Sequence, residues 1–185
     1  DGVVAASPQR GWFATNERLA EPPTSLRSFT ELARERGLVA TTTILESTVR
    51  PATLDEATRL RIAPADDVLY LRRLRGMGGK VLCLDVSTIP IALAAPLATT
   101  DLTDASLYER LETLCHVTIY RSAYAVHAAG AQPDVAALLQ MAVGSPVLVG
   151  EEIASAIDGT PVIIGLNHHR GDAYRFEADL FRQQP

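Results

Sequence analysis

What this sequence lacks narrows what it can do. Only two cysteines occur in 185 residues, Cys83 and Cys115, far apart and without the spacing of a zinc site. No disulfide framework and no metal site is expected, and a reducing cytoplasm is the expected compartment. Aromatic residues make up 5% of the chain, so the core has to be built mostly from Leu, Val, Ile and Ala. No apolar run approaches the roughly 20 residues of a membrane span, and no membrane contact is expected. The opening stretch DGVVAASPQRGWFA lacks the basic start and apolar centre of a signal peptide. Basic residues are outnumbered, with 17 Lys and Arg against 22 Asp and Glu and a net charge of -5. Nucleic-acid-binding surfaces are usually basic, so these residues alone are not expected to bind DNA. There is no GxSxG, HExxH, Walker loop or GxGxxG. No catalytic residue and no cofactor is assigned.

What is present reads as one packed domain with an appendage. Hydrophobic residues make up 47% of the chain, ample for a core. Residues 1–27 are short, turn-rich pieces punctuated by Gly and Pro. From Ser28 the pattern becomes regular. SFTELARERG offers a capping box of Ser28 and Glu31 and a stop at Gly37. TTTILESTVR alternates and is rich in β-branched residues, as a strand does. TLDEATRLRI carries a second box, Thr53 and Glu56. Val68 to Gly76 and Lys80 to Pro90, joined by MGGK, read as a hairpin. A helix capped by Asp104 or Ser106 follows, then a long strand VTIYRSAYAVHAA, then a helix with Pro133 in its first turn. A second hairpin closes on Asp158–Gly159. Hairpins mixed with short helices point to an α+β fold with a mostly antiparallel sheet.

The chain also echoes itself. LDEATRLRIAPADDVLYL resembles QPDVAALLQMAVGSPVLVG at a spacing of 79 residues, with Asp55 falling on Asp134, Leu60 on Leu139 and Val68 on Val147. Two copies are too few for a solenoid. They suggest two similar halves that share one sheet, with a cleft near their junction. In this register Arg73 falls on Glu152, a reversal of charge.

The stretch LYLRRLRG, Leu69 to Gly76, ends an apolar run with three arginines. On a strand, Leu69, Leu71, Arg73 and Arg75 share one face. Two arginines that continue a leucine face need an anionic partner there. That partner is either a carboxylate of the protein, Glu152 being one choice, or a ligand. Ser28, Phe29 and Thr30 open one helix and Ser106 and Tyr108 another, adding hydroxyls and free N–H groups near helix starts. Together with the arginines, that set suits a phosphate, phosphonate or carboxylate. His168 and His169 are adjacent on a strand, face opposite ways and cannot chelate one metal. Asp66–Asp67 and Glu151–Glu152 read as solvated or capping charges, and GMGG as a hairpin turn.

In this order and spacing, RSFTELARERGL, VLYLRRLR, DVSTIP, SLYERLE, DGTPV and HRGDAYRF resemble the UTRA effector-binding domain of GntR-type transcriptional regulators of the HutC subfamily. The resemblance covers about residues 28–182. It implies a chorismate-lyase-like α+β fold, a mostly antiparallel sheet of two similar halves flanked by helices, and a homodimer. It also implies a small anionic effector: a phosphorylated sugar, phosphonate or carboxylate. Residues 1–27 would be the end of the wing of a winged-helix domain plus a linker, and 28–185 the effector domain. Operator DNA would be bound through the rest of that N-terminal domain, absent from this chain. By resemblance, Ser28, Phe29, Thr30, Arg73, Arg75, Ser106 and Tyr108 hold the anion, Asp85 helps bind the rest of the ligand, and His169 replaces a polar pocket residue. Ile163, Ile164 and Leu166 stand where the family often has a further acidic residue, which implies a more apolar far end. Two other readings stay open: a lyase-type enzyme on the same fold, and a dimerisation module with no ligand and a buried Arg73–Glu152 pair.

Overall fold

The computed structural model describes residues 28–176 and, before them, the backbone of three short strands. β1 (Val4–Ser7) and β2 (Gly11–Ala14) form an antiparallel pair. β3 (Leu19–Glu21) pairs in parallel with β10 (Tyr174–Phe176). Residues 1–3, 8–10, 15–18, 22–27 and 177–185 lie outside the described residues, and the expected linker and both domain limits fall partly on them.

Both capping boxes form. Glu31 N–H donates to Ser28 Oγ at 3.3 Å, and Ser28 N–H to Glu31 Oε2 at 2.6 Å, which starts α1 (Phe29–Glu35). Gly37 closes it with φ +67°, a conformation glycine adopts without a Cβ penalty. Thr53 and Glu56 do the same for α2 (Leu54–Leu60). Such caps are worth about 0.5–2 kcal/mol each. Ser106, not Asp104, caps α4 (Leu107–Cys115) by accepting from Glu109 N–H. Asp104 instead accepts the Thr42 N–H at 2.6 Å and ties the preceding loop to the sheet. No pattern in the sequence marks α3 (Ile91–Ala94) or the 3-10 turn Ala95–Thr99 after it.

Six strands form the main sheet. They are β4 (Ala40–Pro51), β5 (Asp67–Met77), β6 (Lys80–Pro90), β7 (Arg121–Gly130), β8 (Pro146–Ser155) and β9 (Pro161–Arg170). Their order is β4-β5-β6-β9-β8-β7, antiparallel throughout. The β5–β6 turn uses Gly78 and Gly79 at φ +59° and +76°, the left-handed pair a two-residue hairpin favours. β7 begins at Arg121, so Val117 to Tyr120 do not extend it as the sequence pattern suggested.

The internal echo is real in three dimensions. α2-β5-β6 and α5-β8-β9, where α5 is Pro133–Leu138, are the two halves, and they meet at the β6–β9 ladder. Arg61 and Gln140, 79 residues apart, both follow their helix in the left-handed conformation, at φ +56° and +54°. Ala65 and Gly144 repeat the correspondence at +65° and +80°.

The sheet separates two layers. On one face α2 packs on Val68 and Ile164, and α5 on Leu84, Val147 and Val149. On the other, Leu69 and Leu71 of β5 meet Leu97, Leu107, Leu111 and Ile163. Each fully buried aliphatic side chain contributes about 1.5–3 kcal/mol. Leu71→Ala would cost about 2–5 kcal/mol, because it opens a cavity in this layer. α1 joins the same face near its end through Leu32, Ala33, Met77, Leu82 and Tyr174. Toward that end the leucine face of β5 continues as Arg73 and Arg75, which are 3% and 4% exposed.

Candidate functional site

A cavity of about 390 Å³ lies where the apolar layer gives way to those arginines, between the sheet, α1 and α4. Its floor is a grid set by strand register. Arg73 pairs with Asp85, and Asp85 with Asn167; Arg75 pairs with Cys83, and Cys83 with His169. Because side chains alternate along each strand, all six of these line the same cavity.

The guanidinium end carries more positive than negative charge. Arg73 Nη2 donates to Asp85 Oδ2, and Arg75 Nη1 reaches the same oxygen from 3.9 Å. Ser87 Oγ donates to Asp85 Oδ1 at 3.2 Å. Arg75 also donates to Thr30 Oγ1 at 3.0 Å and lies over the Phe29 ring, 4.8 Å from its centroid. Two cations thus share one carboxylate. Arg73 Nε and Nη1 and Arg75 Nε are buried without a hydrogen-bond partner among the described residues. Burial, and Arg73 next to it, pull the Arg75 guanidinium down to about 10, while Asp85 pulls the other way. It still carries its charge at neutral pH.

His169 completes this end. It is 6% exposed, stacked on Tyr174 at 3.9 Å between ring centroids, and neither ring nitrogen has a partner among the described residues. Burial pushes its imidazole down to about 4 against the opposing pull of Asp85, so it is neutral at pH 7 and offers one donor and one acceptor. His168 faces the other side of the sheet.

The far end is polar as well. Glu152 Oε1 accepts from Tyr108 Oη and from Ser122 Oγ, each at 2.7 Å. Gly165 lies opposite Glu152, and a Cβ there would be 3.0 Å from Glu152 Oε2. At Gly150 a Cβ would be 1.9 Å from Tyr124 Oη. Glycine inside a strand often marks such close approach. Here two glycines let a carboxylate and a tyrosine lie across the sheet and form part of the cavity wall.

Residues 35–175 match the UTRA domain. This chain belongs to that family. It is a UTRA effector-binding domain of GntR-family transcriptional regulators, with their chorismate-lyase-like fold. The HTH-type transcriptional regulator Rv0792c of Mycobacterium tuberculosis is 30% identical over 195 residues, covering 99% of this chain and 71% of that protein. The HTH-type transcriptional repressor NagR of Bacillus subtilis is 23% identical over 176 residues, covering 95% and 72%. Among solved structures, PhnF from Mycobacterium smegmatis superposes with a TM-score of 0.85 at 22% identity, covering 97% of this chain and 79% of that one. At that identity the likeness shows the fold.

Of the residues singled out in this UTRA sequence, Ser28, Phe29, Arg73, Arg75, Asp85, Tyr108 and His169 line the cavity. Thr30 and Ser106 do not. Both border a smaller cleft of about 260 Å³ that shares Tyr108 with the cavity. Thr30 touches the site through Arg75, and Ser106 caps α4. Asp85, expected with the rest of the ligand, sits against Arg73 at the cationic end. The Arg73–Glu152 pair of the ligand-free alternative is replaced by Arg73–Asp85 beside an open cavity. The far end is not left apolar. Ile163 lines it, but Ile164 packs on α2 and Leu166 is 36% exposed, while Glu152 supplies a carboxylate from β8. From the sequence Glu152 reads as a solvated charge or a partner of Arg73, and it is neither. The signal that could have found it was the internal echo, which sets it on Arg73.

Proposed function

We propose that this domain senses a small anionic metabolite, a phosphorylated sugar, a phosphonate or a carboxylate, and that the anion is held by Arg73 and Arg75. One observation carries this reading: two buried guanidiniums share a single carboxylate and keep nitrogen donors without partners among the described residues. An uncompensated buried charge is costly, and an anion that brings acceptors to those donors relieves the cost. Ser28 and Phe29 would border the anion, His169 would meet it as a neutral donor or acceptor, and Tyr108, which donates to Glu152, would line the far end instead. Thr30 would hold Arg75 in place, and Ser106 would fix the start of α4. Binding would then shift the balance between arrangements of two partner chains in a homodimer.

In this reading operator DNA is bound through an N-terminal winged-helix domain, in the cytoplasm. The β1–β2 hairpin supports taking residues 1–27 as the end of the wing plus the linker, and 28–185 as the effector domain. No helix among the described residues is long and apolar enough to cross a membrane. We read the site as one that binds rather than catalyses. Asp85 is held in an ion pair, and the relatives named above are transcriptional regulators.

A thermal-shift panel of sugar phosphates, alkylphosphonates and small carboxylates tests this. A ligand at a hundredfold excess over its dissociation constant stabilises the native state by about 2.7 kcal/mol, and Arg75→Ala should cut that rise to about half or less. A panel in which nothing stabilises the protein, or in which Arg75→Ala responds like the native chain, overturns the reading.

A further inference from the structure

The cavity has a second pole, and that pole constrains the ligand's other end. Glu152 stands on β8, three strands away from Arg73 on β5 by the order β5-β6-β9-β8, a separation of about 14 Å across the sheet. Arg73 and Glu152 line the same cavity from opposite sides. The cavity they share, about 390 Å³ in all, suits a small metabolite.

Two features fix the carboxylate in that position. Tyr108 and Ser122 both donate to Oε1, at 2.7 Å each, so the group is anchored from α4 and from β7. Gly165 gives it space, because Oε2 lies 3.0 Å from where a Cβ would be. Gly150 does the same for Tyr124, which brings a second polar wall group alongside. A carboxylate has about four lone-pair positions and no donor of its own. A ligand group that approaches it must therefore donate, and an acceptor or a second anion there would be repelled.

Resting on the anion-site reading above, we propose that the effector is two-ended: an anion at Arg73 and Arg75, and an amine or hydroxyl at Glu152. Gly165 is then a specificity-determining residue, because it lets Glu152 lie flat against the sheet. The class is a phosphorylated or carboxylated amine or alcohol. A simple oxyanion fills one pole only, and a dicarboxylate or bisphosphate places like charge against Glu152.

Alkyl phosphates from propyl to hexyl, each ending in amino, hydroxyl, methyl or carboxylate, test this by calorimetry on the full chain. At the best chain length, amino- or hydroxyl-ended compounds bind at least about tenfold tighter than the methyl-ended one, corresponding to about 1.4 kcal/mol, and carboxylate-ended ones bind weakest. A preference for amino over hydroxyl identifies an ammonium ligand, and the reverse an alcohol. Glu152→Gln narrows the amino-to-methyl ratio at least about tenfold. Gly165→Ala, which displaces the same carboxylate without removing it, narrows it too. Equal binding of all four end groups, with binding still lost in Arg75→Ala, overturns the second pole while the anion site stands. If no compound binds, or if Arg75→Ala changes nothing, the anion-site reading falls and this inference goes with it.

Discussion

Arg75 holds its guanidinium 3.9 Å from the Asp85 oxygen that Arg73 already engages. The two arginines are therefore unequal: Arg73 is the structural partner of Asp85, and Arg75 is the cation in excess. Arg75→Ala is expected to weaken anion binding roughly 10- to 150-fold, the value of one hydrogen bond to a charged group, with little loss of melting temperature. Arg73→Ala leaves a buried carboxylate with only its weaker partners, at a cost of up to about 3–5 kcal/mol in stability. Melting each variant without ligand and titrating it with the stabilising anion separates the two roles. Equal destabilisation by both would contradict the division.

His169 should make the domain sensitive to mild acid. Its folded pKa, about 4, lies below the ordinary histidine value because of burial. The unfolded chain thus takes up the proton first as pH falls. Stability from keeping this ring neutral is complete above about pH 6.5 and is lost progressively toward pH 4. His169→Phe keeps a ring against Tyr174 and removes the titration. Its melting temperature should fall less between pH 7 and pH 4 than that of the native chain, and parallel pH profiles would count against the assignment.

Glu56 should act in a lower window. Hydrogen bonds from Arg50, at 2.7 and 2.8 Å, hold its carboxyl down at about 2, with backbone donation from Thr53 adding to them and burial opposing. Its contribution is present above about pH 4.5 and disappears as pH falls through 2. Glu56→Gln keeps a side-chain acceptor for Thr53 N–H but loses the ion pair, for an expected cost of about 1–2 kcal/mol at pH 7. Urea titration at pH 7 and pH 2.5 should show that cost at the first pH and most of it gone at the second.

Gly150→Ala should displace Tyr124, whose hydroxyl lies where the new methyl would be. Tyr124 also meets Phe176 at 6.1 Å between ring centroids, so the movement should reach β10. Overpacking of this kind costs about 1–3 kcal/mol. A double variant, Gly150→Ala with Tyr124→Ala, should recover part of that loss relative to Tyr124→Ala alone with the same addition made elsewhere in the sheet. Additive losses would show that the clash is absorbed in another way.

Local chemistry explains which parts of this fold could be read from the sequence. The two capping boxes, the Gly78–Gly79 and Asp158–Gly159 turns and the alternation from Leu69 to Arg75 depend on neighbours within a few residues, and each forms as its spacing indicates. Ser106 and Asp104 could not be told apart, because the deciding contact is with Thr42, 62 residues away. Glu152, readable only as a solvated charge or as a partner for Arg73, could not be placed at the far end for the same reason. Its surroundings come from α4, β7 and β9, and only the folded sheet brings them together. Asp85 could be picked out, but its place at the cationic end depends on the cross-strand register with Arg73.

The β6–β9 ladder has six residue pairs, from Cys83 with His169 to Thr88 with Ile164, whereas β5–β6 and β7–β8 have ten each. The sheet is thus most lightly stitched along its middle, a crease between two flaps. The cavity straddles that crease, with one pole anchored on each flap. A molecule long enough to touch both flaps would act as a strut between them, whereas one that grips a single flap would not. In the reading proposed above, such a strut would couple occupancy to the relation between the flaps, and through it to the outer strands β4 and β7.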